Sequence, residues 1–375
     1  MEPFKERFNQ ELIRAMAVHF KRVEPTFDVE RFCHVAITGL DQLELKARSQ
    51  QITDALAQTL PTSFPHAATT LAASLHPVDD AALADMGMDD QGLAGWAIMP
   101  MADYVAEYGQ GDVNVALDLL GAMTKRFSAE FAIRPFLLTH TDQSLRQLTL
   151  WSRDDNEHLR RLASEGSRPR LPWGMQLPIF IADPAPLFTL LDPLKDDPSA
   201  YVRRSVANNL NDISKDHPDS VVAFLANWMV GLHPQRLKLI QHALRTLIKQ
   251  GHQGALHLLG YSEPDLHQVK FELHTPQITL GDKLCFRVEL LARGAQNLIV
   301  DYRIHHVKAN GQRTPKVFKW KKLSLTAGKS HCAQRCHAIK PVTTRVYYSG
   351  THLVELLVNG QVMAEAAFEL KVPHA

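Results

Sequence analysis

The sequence has only four cysteines, Cys33, Cys285, Cys332 and Cys336, scattered over 375 residues. That is too few for the disulfide framework of a small secreted scaffold. No apolar run approaches the ~20 residues a membrane-spanning helix needs, and Met1-Glu2-Pro3-Phe4-Lys5-Glu6 offers no apolar signal core. A glycine-rich phosphate loop is missing, and so is Gly-x-Ser-x-Gly, the nucleophile turn of many serine hydrolases. A dominant charge is missing too, since 41 Lys and Arg stand against 40 Asp and Glu. What is expected is a soluble, cytosolic chain, long enough for two or three domains and apolar enough, at 45%, to bury real cores.

The balanced total conceals an uneven distribution. Residues 262–375 carry 16 Lys and Arg and 9 Asp and Glu, a net of +7, whereas residues 1–261 carry 25 and 31, a net of −6. Such asymmetry fits one part that meets a polyanion, although a merely solvated basic surface has the same signature.

Residues 1 to about 261 show apolar positions at three-and-four spacing with proline breaks. Helices are expected over Glu11–Val23, Ala36–Leu60, Val115–Arg126, Ser144–Trp151, His158–Glu165, Ala200–Leu210, Asp219–Met229 and Arg236–Gln250, the last stopped by Gly251. Asp79–Asp90 reads as a helix–helix connection. Residues 260–266 read as a linker, and beyond them the period changes to two. Strands are expected over Val269–Leu273, Leu284–Leu290, Leu298–Ile304, Thr344–Tyr348 and His352–Val358. Gly281-Asp282, Asn310-Gly311, Ala327-Gly328 and Asn359-Gly360 are turn signals. Roughly seven short strands fit an antiparallel sandwich of immunoglobulin-like type, without the Cys…Trp…Cys spacing of antibody domains. The expected organisation is a HEAT-like α-solenoid over 1–262 followed by an immunoglobulin-like β-sandwich over 263–375.

The helical half repeats itself. Leu159-Arg160-Arg161 aligns with Val202-Arg203-Arg204 at an offset of 43, each after an acidic turn and before a small-residue helix, with a weaker copy at Arg236–Arg245. That period suits HEAT-type repeats of about 40–47 residues. Stacked units bring equivalent positions together, so Arg161 is expected near Arg204 and Glu165 near Asn208. Glu157, Arg161, Glu165 and Arg168 fall on one helical stripe, repeated later as Arg204, Asn208 and Asp212. A surface ladder of ion pairs explains such a stripe by itself. It does not explain the stiff tail Gly166-Ser167-Arg168-Pro169-Arg170-Leu171-Pro172-Trp173, whose arginines and tryptophan are placed to lie against a duplex.

Glu130-Phe131-Ala132-Ile133-Arg134-Pro135-Phe136, the run 156–174, Tyr201–Asp212 and His242–Lys249 together resemble the AlkC branch of the HEAT-like DNA alkylation-repair glycosylases. The likeness covers roughly residues 1–260, with its motifs in order. The β module is similar to the immunoglobulin-like domain of one AlkC subgroup. The resemblance implies monofunctional removal of alkylated bases from double-stranded DNA in a bacterial cytoplasm, associated with the nucleoid through that DNA. The leading substrate is 3-methyladenine, with 3-methylcytosine second. It also implies catalytic Glu130, Glu165, Asp212 and Trp173, phosphate-binding Arg161, Arg168 and Arg204 with Asn208 beside them, and exposure of the lesion without a deep base pocket.

These residue types suit the chemistry. Alkylation at a ring nitrogen makes the base cationic and a good leaving group, and positive charge grows on the sugar as the bond lengthens. A nearby carboxylate stabilises that charge, most in a dry site, and can orient the attacking water. Glu165 is the first choice for the stabilising role, Asp212 its partner and Glu130 a third member. Trp173 can stack on sugar or base, and the arginines, with Arg170, fix register through phosphates. In the β module Lys316, Lys319, Lys321 and Lys322 surround Phe318 and Trp320, either as a sequence-blind DNA contact or as charges guarding a sheet edge. His331-Cys332 and Cys336-His337 have no second pair nearby, so no metal or cofactor is expected. No obligate protein partner is evident, and the chain is expected to act as a monomer. A non-catalytic HEAT-repeat binder of damaged or branched DNA and a protein-binding scaffold remain as alternatives.

Overall fold

The computed structural model describes residues 3–77, 88–343 and 345–373. Within them the chain forms two units. One comprises residues 1–217 with 227–243, and the other residues 218–226 with 244–375. Most of the 79–90 connection therefore lies outside the described residues.

The first unit is helical because apolar residues recur every three or four positions, and polar side chains cap several of the helices. Helix Gln10–Val23 buries Ile13, Met16, Ala17 and Phe20 along one stripe, and the Asn9 side chain accepts the Leu12 N–H at 2.9 Å. The single helix expected over Ala36–Leu60 is two. Gly39 adopts φ +75°, a 3-10 turn covers Leu40–Gln42, and helix Leu45–Thr59 follows helix Val29–Ile37. The first of these ends without loss because Gln51 Nε2 donates to the carbonyls of Val35, Ala36 and Thr38. Likewise Arg236–Gln250 divides at Leu244 into Pro234–Ala243 and Arg245–Gln250.

The 43-residue echo is a structural repeat. Helices Glu157–Gly166 and Ala200–Ile213 pack side by side, with Pro234–Ala243 next in line. Arg160 donates to the carbonyls of Asp154 and Asp155, and Arg203 donates to those of Asp197 and Pro198, the same two steps back in each unit. Arg160 also grips Asp197 of the next unit at 2.6 and 3.1 Å. The first arginine of each pair is therefore a tie within the repeat. No helix among the described residues is long and apolar enough to cross a membrane.

In the second unit eight strands, β1 (Leu266–Leu273), β2 (Gln277–Thr279), β3 (Lys283–Ala292), β4 (Gln296–Val307), β5 (Arg313–Leu325), β6 (Ser330–Ala338), β7 (Gly350–Val358) and β8 (Gln361–Lys371), form two sheets. Their orders are β1-β3-β6 and β2-β8-β7-β4-β5. Pairing is antiparallel except for β2 with β8. Phe286, Tyr302, Ile304, Val354 and Phe368 fill one end of the core, and Val288, Leu290, Leu298, Val300 and Leu356 the other. The four expected turns each join consecutive strands. Asn359 and Gly360 both take positive φ, 45° and 78°, as a two-residue hairpin of the inverse type demands. The strand expected at Thr344–Tyr348 does not form: Thr344 is outside the described residues, and Arg345 makes only an isolated bridge to Val342. Cys285 and Cys336, directly opposed on β3 and β6, are disulfide-bonded, a pairing the sequence left unread.

Candidate active site

Helix Glu157–Gly166 begins where the Asn156 side chain accepts the His158 N–H at 2.9 Å. Leu159, Leu162 and Ala163 point inward, and at the last turn Glu165 and Gly166 are buried as well. Gly166 is required there, because a Cβ would stand 2.6 Å from the Ile133 side chain. The chain then turns through Ser167, whose hydroxyl donates to the Ala163 carbonyl at 2.7 Å.

Arg168 therefore lies past the helix end, not on its stripe. Its Nη1 donates to Glu165 Oε1 at 2.6 Å and its Nε to Asp212 Oδ2 at 2.8 Å. Ser205, from the neighbouring helix, donates to Glu165 Oε2 at 2.6 Å, and Lys215 donates to Asp212 Oδ1 at 2.9 Å. On the other side Arg161 Nη1 donates to Glu130 Oε2 and, at 2.7 Å, to Ser128 Oγ, while its Nη2 stands 3.7 Å from Glu165 Oε1. The outcome is a continuous run of alternating charge, Glu130, Arg161, Glu165, Arg168, Asp212 and Lys215, drawn from three chain segments. The side chains of Arg168, Glu165 and Asp212 are 8%, 8% and 3% exposed, so this is a buried network and not a solvated ladder.

The charges inside it support one another. Burial works against the Arg168 cation, but Glu165 and Asp212 outweigh it and hold the guanidinium above its usual range. Arg161 is raised in the same way, burial being overcome by Glu130, Tyr201 and Glu165. The neighbour lying over the Arg161 guanidinium is the Tyr201 ring, at 5.0 Å. Arg204, on the same helix as Tyr201, lines a further groove.

Trp173, which shares a cavity with Glu130, is 68% exposed and held at φ +65°. A bulky residue in the left-handed region costs about 1–3 kcal/mol and persists only where its surroundings dictate it. Arg134 supplies much of that constraint. Fully buried, it donates to the carbonyls of Gly166 (2.8 Å) and Met175 (2.7 Å), tying both ends of the tryptophan loop. Burial, with the nearby Arg168 charge, lowers its pKa to about 10. Lys46 Nζ donates to the Trp173 carbonyl itself.

Two cavities flank the indole. One, of about 400 Å³, is lined by aromatic and apolar side chains together with Lys46, Ser128 and Glu130. The other, of about 390 Å³, holds Gln50, Asp103 and Glu107; burial pushes the Asp103 carboxyl up against the hydrogen bond it accepts from Ser49. Glu165 and Asp212 line neither. A third groove, of about 440 Å³, is lined by Arg203, Arg204, Lys238 and His242. Asn208 sits 3.0 Å from His242 Nε2 beside it. Arg170 makes a two-pronged, part-exposed pair with Asp216 at 3.0 and 2.9 Å. In the second unit Lys319, Lys321 and Lys322 are exposed on β5, the outer strand of its sheet. Among the described residues, no group of three or more His, Cys, Asp or Glu is placed to hold a metal ion.

Sequence reasoning left out Lys46, Trp96, Phe127, Ser205 and Lys215. Lys215 and Phe127 each lie three residues from a named carboxylate, Asp212 and Glu130, and Ser205 shares a helix with Asp212. Lys46 and Trp96 reach the site from distant segments.

Two family models match this chain, the DNA alkylation repair enzyme over residues 125–247 and the C-terminal Ig-like domain of YhaZ over residues 267–372. The uncharacterized protein YhaZ of Bacillus subtilis (strain 168) is 37% identical over 372 residues, 99% of this chain and 100% of that one. The alkylpurine DNA glycosylase AlkC of Pseudomonas fluorescens, solved bound to DNA containing an abasic site analog, is 38% identical. It covers 99% of this chain and 100% of its own, with a TM-score of 0.84. With likeness running the whole length and both models falling in order, the chain belongs to the AlkC family of DNA alkylation-repair enzymes that carry a C-terminal immunoglobulin-like domain.

Proposed function

We propose that this protein is a monofunctional DNA glycosylase that hydrolyses the N-glycosidic bond of cationic alkylated bases, 3-methyladenine first and 3-methylcytosine second. The observation that carries the reading is the meeting of three carboxylates from three chain segments around buried Arg168 and half-buried Arg161, with Glu130 sharing a cavity with the exposed Trp173. A cationic leaving base needs little acid catalysis, so the demand falls on the sugar as it turns cationic. Glu165 and Asp212, in a dry setting, supply the stabilising field. None of the described residues donates to Glu130 Oε1, and Glu130 lines a cavity, which suits it to orienting the water. Trp173 packs on the sugar or base.

The same geometry refines the arginines' roles. Arg168 is committed to Glu165 and Asp212, so its part is to fix their carboxylates. Arg161 divides its guanidinium between Glu130, Ser128 and Glu165. Exposed Arg204, with Asn208 and part-exposed Arg170, is better placed to meet phosphates. Lys319, Lys321 and Lys322 extend the contact as sequence-blind charge.

The decisive experiment follows free base released from methylated duplex DNA. Wild type releases 3-methyladenine. Glu165→Gln and Asp212→Asn bind abasic-analogue DNA normally but excise at least about a hundredfold more slowly, the scale lost with one preorganised charge-stabilising group. Binding without any base release by the wild type would favour a non-catalytic DNA binder.

A further inference from the structure

The cysteines at 332 and 336 take no part in the carboxylate site, yet both lie on the solvent face of the sheet β1-β3-β6. Leu284, Phe286 and Val288 of β3 point into the core, so Cys285 and Arg287 point outward. Across from Cys285 on β6 is Cys336, with Cα atoms 4.1 Å apart, and the disulfide between them closes a separation of 51 residues. Cys285 donates its N–H to Thr275 Oγ1 at 2.7 Å, and its carbonyl accepts the His274 N–H at 2.8 Å. Its own hydrogen-bonding groups thus turn away from Cys336, as at the kind of rung where facing side chains come closest.

The two sulfurs are not equally open. Strand β6 is the outer strand of its sheet and Cys336 is exposed, whereas Cys285 is half-buried, with β1 beyond it and His274 and Thr275 closing on its backbone. A thiolate that attacks a disulfide approaches in line with the bond, opposite the sulfur that leaves. Attack on Cys336 comes from outside the sheet edge. Attack on Cys285 has to come through β1.

We propose that Cys285–Cys336 is a reversible exchange site for low-molecular-weight thiols and their disulfides, entered at Cys336, and that its state sets how firmly β6 is fastened to β3. In reduction a thiolate RS− attacks Cys336 Sγ, forming a mixed disulfide there and expelling the Cys285 thiolate, which takes a proton from solvent. A second RS− attacks the R-group sulfur of that mixed disulfide, giving RSSR and freeing the Cys336 thiolate. Two thiols become one disulfide as the protein gains two thiols, and RSSR drives the same steps backward. Enzymes that act on cellular DNA share a compartment with reduced thiols, where lasting disulfides are rare and exposed ones exchange. Exposed Cys332, whose sulfur accepts Arg287 Nε at 3.0 Å, lies about 13 Å along the extended strand from Cys336, too far to exchange with it.

The test uses the full-length protein with reduced and oxidised glutathione as probes, under native conditions, in a Cys332→Ser background that removes the other exposed thiol. Thiol alkylation read by mass spectrometry should show the bond opened by millimolar reduced glutathione and re-formed by millimolar oxidised glutathione. With Cys285→Ser added, oxidised glutathione should leave an adduct on Cys336. With Cys336→Ser added instead, the adduct on Cys285 should be at least about tenfold slower to form. Amide exchange over residues 330–338 should slow at least about tenfold on oxidation, because closing the loop opposes local opening of β6. That arm needs neither substitution at the pair. A bond that persists in reduced glutathione marks a permanent staple and overturns the proposal, as does one that never re-forms. Faster adduct formation at Cys285 overturns entry at Cys336, and exchange over 330–338 that ignores the redox state overturns the fastening of β6.

Discussion

At the residue scale the site is an exercise in compensating buried charge. Isolated ions taken out of water cost several kcal/mol each, so Glu165 and Asp212 persist only because Arg168 meets both, with Ser205 and Lys215 satisfying the remaining oxygens. Removing Arg168 leaves two carboxylates facing each other without their shared cation. Arg168→Gln is accordingly expected to lower unfolding free energy by about 3–5 kcal/mol. The same change at Arg170, whose pair with Asp216 is part-exposed, should cost far less. Urea titrations of both variants separate the two cases, and equal losses would show that burial does not set the difference. The sequence named both arginines and all three carboxylates but read Arg168 as a phosphate ligand. Nothing in a helical stripe reveals that the helix stops at Gly166 and that the next arginine turns back to Asp212.

At the element scale, legibility followed local signals. Amphipathic, capped helices such as Gln10–Val23 and Glu157–Gly166 were readable, as were the four glycine turns of the β unit. The break at Gly39 was not, because the stop is completed by Gln51, which arrives from the following helix. Strand β5 was missed because its lysine-rich outer edge hides the alternation, although Phe318, Trp320, Leu323 and Leu325 reach the core. Burial inside strands also creates a sensitivity to acid. His306 on β4 is 4% exposed, has no hydrogen-bond partner for either ring nitrogen among the described residues, and packs on Tyr347 and His352. Burial first, then the charges of Arg345, His352, His337 and Lys316, lower its pKa to about 3. Its folded value lies below the unfolded value of 6.5, so the unfolded chain takes up the proton first. The stabilising contribution is whole above pH 6.5 and is lost progressively as the pH falls toward 3. Between pH 7 and 5 this one group should cost about 2 kcal/mol. Thermal melts of wild type and His306→Phe across that range should diverge by that amount, and parallel curves would remove His306 from the account.

At the scale of the whole chain, the uneven charge between residues 1–261 and 262–375 admits two physical meanings, and the β5 lysines distinguish them. Charges on the outer strand of a sheet deter edge-to-edge association, and the same charges facing a duplex displace counterions from phosphates. Lys319, Lys321 and Lys322 are exposed, and Lys322 lies over the Tyr261 ring at 5.7 Å, held in place and still solvated. A phosphate role makes affinity fall with salt at a logarithmic slope of about 0.9 per contact. Replacing all three with alanine should therefore flatten the dependence by up to about 2.7 while leaving lesion preference and the rate of base release from bound DNA unchanged. An edge-guarding role predicts the reverse pattern, an unaltered salt slope with new concentration-dependent association. Affinity measured from low to physiological salt, with light scattering on the same samples, assigns the cluster to one role. The slope decides between them because protein folding and carboxylate chemistry leave it untouched, whereas each lost phosphate contact must reduce it.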